Sequence, residues 1–467
     1  MLTKTDYLRY LEAPMHLWAE AHGWLEDAAP SEYALHLMQQ GRSVQQLAQE
    51  FLSRRIGEEH PEAEISFETV LTDGEYYARL DAAVHFPEAD TYDIYEIKSS
   101  GSVRKEHLLD AAFQRIVAAA DLNVRHTFIV HVDTQYRREG EVDLDAFFVI
   151  ENVDLQIGEV CEELKVSREM ALRVANADTP DGIETCLKPN DCPCPRLCHP
   201  NLPEHPIYDL PRIGQKAREL KAAGILAIED IPLDFPLSAN QASHAEVVRC
   251  GAPQIDHAGV KAALDEMDYP LYFLDYETYN PAVPWYDGYA PYQHMVFQYS
   301  LHVYQGPDAV PVHYEFLAAE KEDPALRLAA DLLENIGPTG SVVVWNKSFE
   351  MARNREMAAL HPQFASGLDS INARIIDLME VFSKGSYVHP DFRGSASIKN
   401  VLPVIGPELS YVDLPIPNGT SAMLAWVAMV TGEMEAPDFE QTRQALLEYC
   451  KLDTWAMVRI WQELRKL

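Results

Sequence analysis

The sequence predicts an α/β protein built from at least two mixed units, and three observations carry that expectation. The chain has 467 residues, too many for one ordinary hydrophobic core, so two or three domains are expected. Its apolar period switches from three-to-four over residues 5–55 to strict alternation over residues 65–98. After residue 268 strand-like runs and helical runs follow one another again.

The early helical stretch is marked by Tyr7, Leu8 and Leu11, then by Val44, Leu47, Ala48, Phe51 and Leu52. "EISFETVLTD", "GEYYARLDAAVHF" and "YDIYEIKSS" read as a three-stranded meander, with turns at Asp73-Gly74 and Pro87–Asp90. A helix around Leu108–Ala120 and the strand "HTFIVHV" complete a first α/β unit, expected over residues 1–200. Residues 201–265 open rich in proline and carry two short helical pieces around Gly224. They read as a helical connector or as a helix-hairpin element that grips backbone phosphate. The second unit, residues 266–467, holds strands "LYFLDYET", "FQYSLHVY" and "SVVVWN" and ends in the helix "TRQALLEYCKLDTWAMVRIWQELRK".

A hydrophobic fraction of 47% and a charged fraction of 24% suit a globular protein. No run of eighteen apolar residues occurs and the N-terminus has no apolar signal block, so a cytoplasmic location without membrane partners is expected. The formal charge of -35 speaks against coating nucleic acid by bulk attraction. It remains compatible with an enzyme that gathers carboxylates around divalent metal, and with a surface that is acidic simply for solubility. Four of the seven cysteines, Cys186, Cys192, Cys194 and Cys198, fall within thirteen residues, while Cys161, Cys250 and Cys450 are scattered. That distribution reads as thiolate metal ligands in a reducing compartment rather than a disulfide framework.

Two further constellations carry chemistry. On the meander, period two sets Glu96 and Lys98 on one strand face with Ile97 behind, and pairing with the preceding strand brings Asp81 beside them. Two carboxylates can hold a divalent cation that activates water against a phosphodiester, with the lysine positioning the water. A Glu-x-Lys on an exposed strand is also often only a solvated pair. With Gln114 on the next helix and Glu68 as the first acidic residue, the order resembles the PD-(D/E)XK nuclease fold in its RecB-like branch. In the second unit, Asp275 and Glu277 share a strand face, Glu350 lies on the first turn of a helix after the turn at Asn346, and Tyr449 and Asp453 are stacked at i and i+4. Taken singly, these are ordinary surface pairs. In this order they resemble the DEDD exonucleases of the RNase H-like fold. The resemblance implies two Mg2+ or Mn2+ ions about 4 Å apart on Asp275, Glu277, Glu350 and Asp453, with Tyr449 orienting the attacking water. Glu350 stands where aspartate is usual. Asp377 is a further acidic candidate or a helix cap.

The stretch "GSASIKNVLPVIGPELSYVDLPIPNGTSAMLAW", with "YCKLDT" and "LTKTDYLRYLEAP", is similar to the bacterial domain-of-unknown-function family numbered 2779, in which a RecB-like module precedes a DnaQ-like one. The resemblance implies a metal-dependent nuclease, a phosphodiester hydrolase with 3'-to-5' exonuclease polarity and DNA as the expected substrate. An alternative keeps the first module as a weakly catalytic platform that grips nucleic acid, or makes the whole chain a non-catalytic adaptor. RecB-like nucleases often carry an iron–sulfur cluster, [4Fe–4S], held by one early cysteine and three late ones. Cys186, Cys192 and Cys198 match the late three, the early place reads Ala13-Pro14, and Cys194 is the added thiolate that would complete the set locally. A zinc site, with His199 as a spare ligand, is the alternative.

Overall fold

The computed structural model describes residues 1–25, 30–432 and 434–467. The chain divides into two compact units, residues 1–200 with 280–293 and residues 201–279 with 294–467. Both mix helices and strands, and among the described residues no helix is long and apolar enough to cross a membrane.

The first unit runs β1 (Leu2–Thr3), α1 (Lys4–Glu12), α2 (Pro14–Ala21), α3 (Glu32–Glu59), β2 (Glu64–Thr72), β3 (Tyr76–Phe86), β4 (Thr91–Ile97), α4 (Lys105–Ala118), β5 (Val124–Val132), α5 (Leu144–Phe147), β6 (Phe148–Asn152), α6 (Asp154–Ala175) and α7 (Pro195–Cys198). Its sheet has the order β1-β3-β4-β5-β6, with β2 paired to β3. The alternating segments form the antiparallel β2-β3-β4 meander, with Gly74 at φ +96° in the first turn. β5 then lies parallel to β4, a pairing that needs a crossover, and α4 supplies it. Helix α6 has no counterpart in the periodicity reading. Its buried face is only Ile157, Leu164 and Ala171, a thin stripe among charged residues.

Two local rules set the start of the chain. Thr3 caps α1 in a capping box: its hydroxyl accepts from the Asp6 N–H at 3.1 Å, and the Asp6 carboxylate accepts from the Thr3 N–H at 2.7 Å. Because Leu2 and Thr3 also pair with Tyr76 and Tyr77, the cap holds Lys4 beside β3. Ala13, forced extended by the following Pro14, ends α1 and opens α2. Val44, Ala48, Phe51 and Leu52 of α3 pack with Ala82, Val84, Tyr95 and Ile97 of the sheet. Ala111, Phe113, Ile157 and Leu164 pack with Tyr7, Tyr76 and Ile129. Ala282, from the 280–293 segment, joins the α3 cluster, and its N–H donates to the Gln40 Oε1 at 2.7 Å.

The second unit runs α8 (Gln215–Ala222), α9 (Ala239–Cys250), β7 (Gln254–Ile255), α10 (His257–Asp265), β8 (Leu271–Tyr279), β9 (Met295–Tyr304), β10 (Val312–Leu317), α11 (Ala325–Asn335), β11 (Ser341–Val344), α12 (Lys347–Leu360), α13 (Ala365–Asn372), β12 (Ile375–Asp377), α14 (Glu380–Ser383), β13 (Tyr387–Val388), α15 (Ile398–Ile405), α16 (Gly419–Thr431) and α17 (Ala436–Leu464). Residues 201–265, read from the sequence as a connector, belong to this unit and bury their own cluster of Ile207, Leu210, Leu220, Ile228 and Val248. The main sheet has the order β10-β9-β8-β11-β12. β8, β9 and β10 are antiparallel neighbours, whereas β11 pairs parallel with β8 and β12 parallel with β11. Every residue of β9 and β11 is buried, as expected of central strands covered on both faces.

Replacing Thr3 with alanine removes the cap that precedes Lys4. The substitution is expected to cost about 1 kcal/mol, seen as a lower unfolding midpoint of the first unit by scanning calorimetry, while Thr3→Ser leaves the midpoint unchanged.

Candidate functional site

The densest chemistry lies in the second unit. Asp275 and Glu277 leave β8 two residues apart, and the β8–β9 register shifts by one between Glu277 and Thr278. Glu350 comes from the first turn of α12 and Asp453 from α17, with Tyr449 one turn before it. Glu277, Glu350 and Asp453 are buried and Asp275 is partly so. A Cβ built on Gly419, at the start of α16, would sit 3.5 Å from the Glu277 Oε2 and 3.8 Å from the Tyr449 hydroxyl. Both are ordinary van der Waals separations, so the start of α16 lies against both groups.

Electrostatics bind these residues into one set. Burial first, then the facing carboxylates Asp453, Glu277 and Glu350, push the Asp275 carboxyl well above its ordinary value. Glu277 is raised by burial and by Asp453. Burial lifts Glu350 to about 8, helped by Asp377 and opposed by its own backbone N–H and by Arg353. One Glu350 oxygen, Oε2, is buried with no hydrogen-bond partner. Burial also lifts Asp453, to about 6, against the pull of the Tyr411 and Tyr449 hydroxyls and of Lys399.

Three participants escaped the sequence reading. The Tyr411 hydroxyl donates to the Asp453 Oδ1 at 2.7 Å, and the Lys399 ammonium lies 5.5 Å and 5.9 Å from the Tyr411 and Tyr449 ring centres. Cys450, read as a stray thiol, is fully buried with its Sγ 3.9 Å from the Asp275 Oδ2, and one donor atom each from Asp275, Glu277 and Cys450 lie mutually within 4.8 Å. The adjacency of Cys450 to Tyr449 was the available signal. Asp377 accepts from the Lys347 and Met379 N–H groups, both at 3.0 Å, so it caps the start of α12 and steadies the turn that carries Glu350.

In the first unit β3 and β4 pair in the register that sets Asp81 opposite Glu96, and the Ile97 N–H donates to the Asp81 Oδ2 at 2.8 Å. Glu96 is buried at the centre. Its Oε1 receives Lys98 at 2.7 Å and Lys4 at 2.8 Å, and its Oε2 receives the Gln114 amide. Lys98 also pairs with Asp110, a residue absent from the sequence reading, as is Lys4. Burial alone would raise the Glu96 carboxyl, yet Lys98 and Lys4 override it and hold it at about 2. Asp81 is pushed up to about 7 by burial and by Glu96. Glu68, at φ +56° across from Asp81, is held by Arg79 at 2.8 Å and by Gln45. It is engaged by its own partners rather than joined to the Glu96 group.

The third cluster joins α2 to the cysteine segment. One donor atom each from His16, Cys186, Cys192 and Cys198 lie mutually within 4.8 Å, a set that can hold a metal ion. Cys194 has its Sγ 3.6 Å from that of Cys198 but is not among the four mutually close donors. The fourth member is His16, three residues after Ala13 on the same helix, which the sequence reading passed over. His199, the expected spare ligand, has its Nε2 3.0 Å from the Cys186 Sγ.

The acid cluster has a consequence for folding that can be measured. Glu350 stays protonated up to about 8 in the folded chain but loses its proton near its ordinary value of 4.5 when unfolded. The folded state therefore binds this proton more tightly, so its contribution to stability is complete below 4.5 and is lost as pH rises towards 8. Without divalent cation, Glu350→Gln is expected to flatten this decline and to raise the melting temperature at the alkaline end by about 3 °C or more, by calorimetry across that pH range.

Comparison with known proteins gives a partial match. Residues 272–397, which contain Asp275, Glu277, Glu350 and Asp377, match the family described as Domain of unknown function (DUF2779). The chain is 25% identical over 214 residues to an uncharacterized protein of Ureaplasma parvum, covering 42% of this chain and 31% of that protein. It is 30% identical over 131 residues to an uncharacterized protein homologue of Mycoplasma pneumoniae, covering 26% of this chain and 20% of that protein. The chain thus spans less than a third of the length of these curated relatives. No solved structure matches it.

Proposed function

We propose that this chain is a divalent-metal-dependent nuclease whose active centre is the acid cluster of the second unit. The observation that carries the reading is the convergence of Asp275, Glu277, Glu350 and Asp453 from three elements into one buried group, with each carboxyl lifted above its ordinary value. Lys399 acts on Glu277 and Asp453 against the carboxylates clustered there, which leaves negative charge for bound cations to offset. The strand order β10-β9-β8-β11-β12, three antiparallel strands followed by two parallel ones, supports an RNase H-like reading of the unit. The order of acidic residues along the chain supports the DEDD exonuclease type, with 3'-to-5' polarity and DNA as first substrate to test.

In this reading Asp275, Glu277, Glu350 and Asp453 would hold two Mg2+ or Mn2+ ions, which when bound would supply Lewis acidity to the scissile phosphate and lower the pKa of water. The rest belongs to the chain. The Tyr449 phenol is driven well above its ordinary value by burial and by Asp453, Glu277 and Asp275, so it remains protonated and serves as a hydrogen-bond donor that orients the nucleophile rather than as a base. Tyr411 fixes the Asp453 rotamer through its 2.7 Å hydrogen bond. Lys399, above both tyrosine rings, offsets charge on the Glu277 and Asp453 side.

Asp275→Asn is expected to lower Mg2+-supported release of nucleotides from an end-labelled single strand by about 100-fold or more, with the melting temperature maintained or raised. Full activity in that variant, or wild-type activity that survives EDTA, would sink the reading.

A second reading concerns the first unit. Glu96 already receives two ammonium groups and an amide, and Asp81 is only about half ionised at neutral pH, so little uncompensated charge is left there for a cation. This favours a PD-(D/E)XK-like platform that grips nucleic acid over a second hydrolytic centre. Lys98→Ala should then leave the cleavage rate within about threefold while raising KM for long strands, whereas a loss as deep as that of Asp275→Asn would make the first unit catalytic.

A further inference from the structure

Where Ala13 offers no ligand atom, a histidine follows three residues later. His16 is buried on the first turn of α2, and its Nε2 lies 3.6 Å from the Cys192 Sγ. Its other ring nitrogen, Nδ1, faces the Glu12 carboxylate at 3.7 Å. Nδ1 makes no hydrogen bond, and the tautomer protonated there would leave the Nε2 lone pair directed at the sulfurs. Cys186 and Cys198 are also buried, and Met15, Trp18, Val174, Ile183 and Leu197 form an apolar wall around the group.

The spacing of the donors discriminates between centres. Around one tetrahedral zinc ion, bonds of about 2.3 Å to sulfur and 2.0 Å to nitrogen put the ligand atoms about 3.5 to 3.8 Å apart. The four donor atoms here lie within 4.8 Å of one another, with the His16 Nε2 3.6 Å from the Cys192 Sγ. An iron–sulfur cube takes each ligand on a different iron, at a different corner, and so needs its donors more widely spread. Residues of this geometry do not suit a four-iron cluster.

We propose that His16, Cys186, Cys192 and Cys198 bind a single tetrahedral zinc ion that staples α2 to the 186–198 segment, with Cys194 outside the ligand set. Binding releases three thiol protons and needs no oxidant or reductant. The backbone already anticipates the staple, since the Met15 N–H donates to the Glu184 carbonyl at 3.0 Å and the Trp18 Nε1 to the Ala177 carbonyl at 2.8 Å. His199, 3.0 Å from the Cys186 Sγ, is placed to donate a hydrogen bond to that thiolate and temper its charge. The proposal is independent of the nuclease reading, because every measurement that tests it is made on the metal itself.

The test is elemental analysis of the full chain purified anaerobically from medium containing both iron and zinc. One zinc per chain is expected, with no iron and a colourless protein. Replacement by Co2+ should give the intense visible bands of a tetrahedral thiolate site. His16→Ala should lower retained zinc at least tenfold under competition with a chelating dye, His16→Cys should restore it, and Cys194→Ser should leave it unchanged. The His16→Cys arm separates loss of a ligand from loss of the fold. Four irons per chain with a brown chromophore, absence of any bound metal, or equal damage from Cys194→Ser and His16→Ala would overturn the proposal.

Discussion

Keeping several carboxylates out of water where they act on one another's charge is the constraint on which the second unit depends. Each of Asp275, Glu277, Glu350 and Asp453 is lifted above its ordinary proton affinity, which means the fold opposes their ionisation and must hold them by other means. It does so with a rigid sheet. Central strand β8 carries two of them, and the buried cluster of Leu274, Leu301, Val342 and Val344 gives the strand no freedom to withdraw. Asp377 and Tyr411 steady the other two, one by capping the helix that carries Glu350 and the other by bonding Asp453 directly.

The acidic group of the first unit resolves the same problem differently. There Glu96 is as deeply buried, but Lys98 and Lys4 neutralise it from within, and its carboxyl falls to about 2 instead of rising. At similar burial, Glu96 and the acids of the second unit thus sit on opposite sides of their ordinary values because of what faces them, while Asp81 beside Glu96 rises to about 7. Lys4 reaches its place through a capped helix start and a two-residue parallel pairing, so a short N-terminal segment sets the charge state of a strand ninety residues away.

The cysteine cluster shows how local the rules of ligand spacing are. Thiols at x5, x1 and x3 specify neither a zinc knuckle nor a cluster, and the side chain that meets three of them is a histidine 170 residues earlier than Cys186. Helical geometry explains why His16 and not Ala13 reaches them. Ala13 is extended at the cap, whereas His16 lies inside the first turn of α2, where its side chain projects from the helix flank towards the thiols.

By itself the sequence determined the mixed α/β character, the β2-β3-β4 meander, the strand that carries Asp275 and Glu277, and the helical spacing of Tyr449 and Asp453. Each follows from a period or a turn residue read over a few neighbours. It missed α6, whose buried stripe is too thin for a periodicity reading, and it treated residues 201–265 as a connector because their apolar cluster is assembled from short, separate pieces. Only the tertiary structure decided that Lys4 and Asp110 join Glu96, that Tyr411, Lys399 and Cys450 join the acid cluster, that Asp377 is a cap, and that His16 lies within 4.8 Å of the Cys186, Cys192 and Cys198 sulfurs. The physical reason is common to all of them. Periodicity reports which way a side chain faces along its own element, whereas the charge, proton affinity and ligand count of a site are set by groups arriving from other elements, at separations no local pattern encodes.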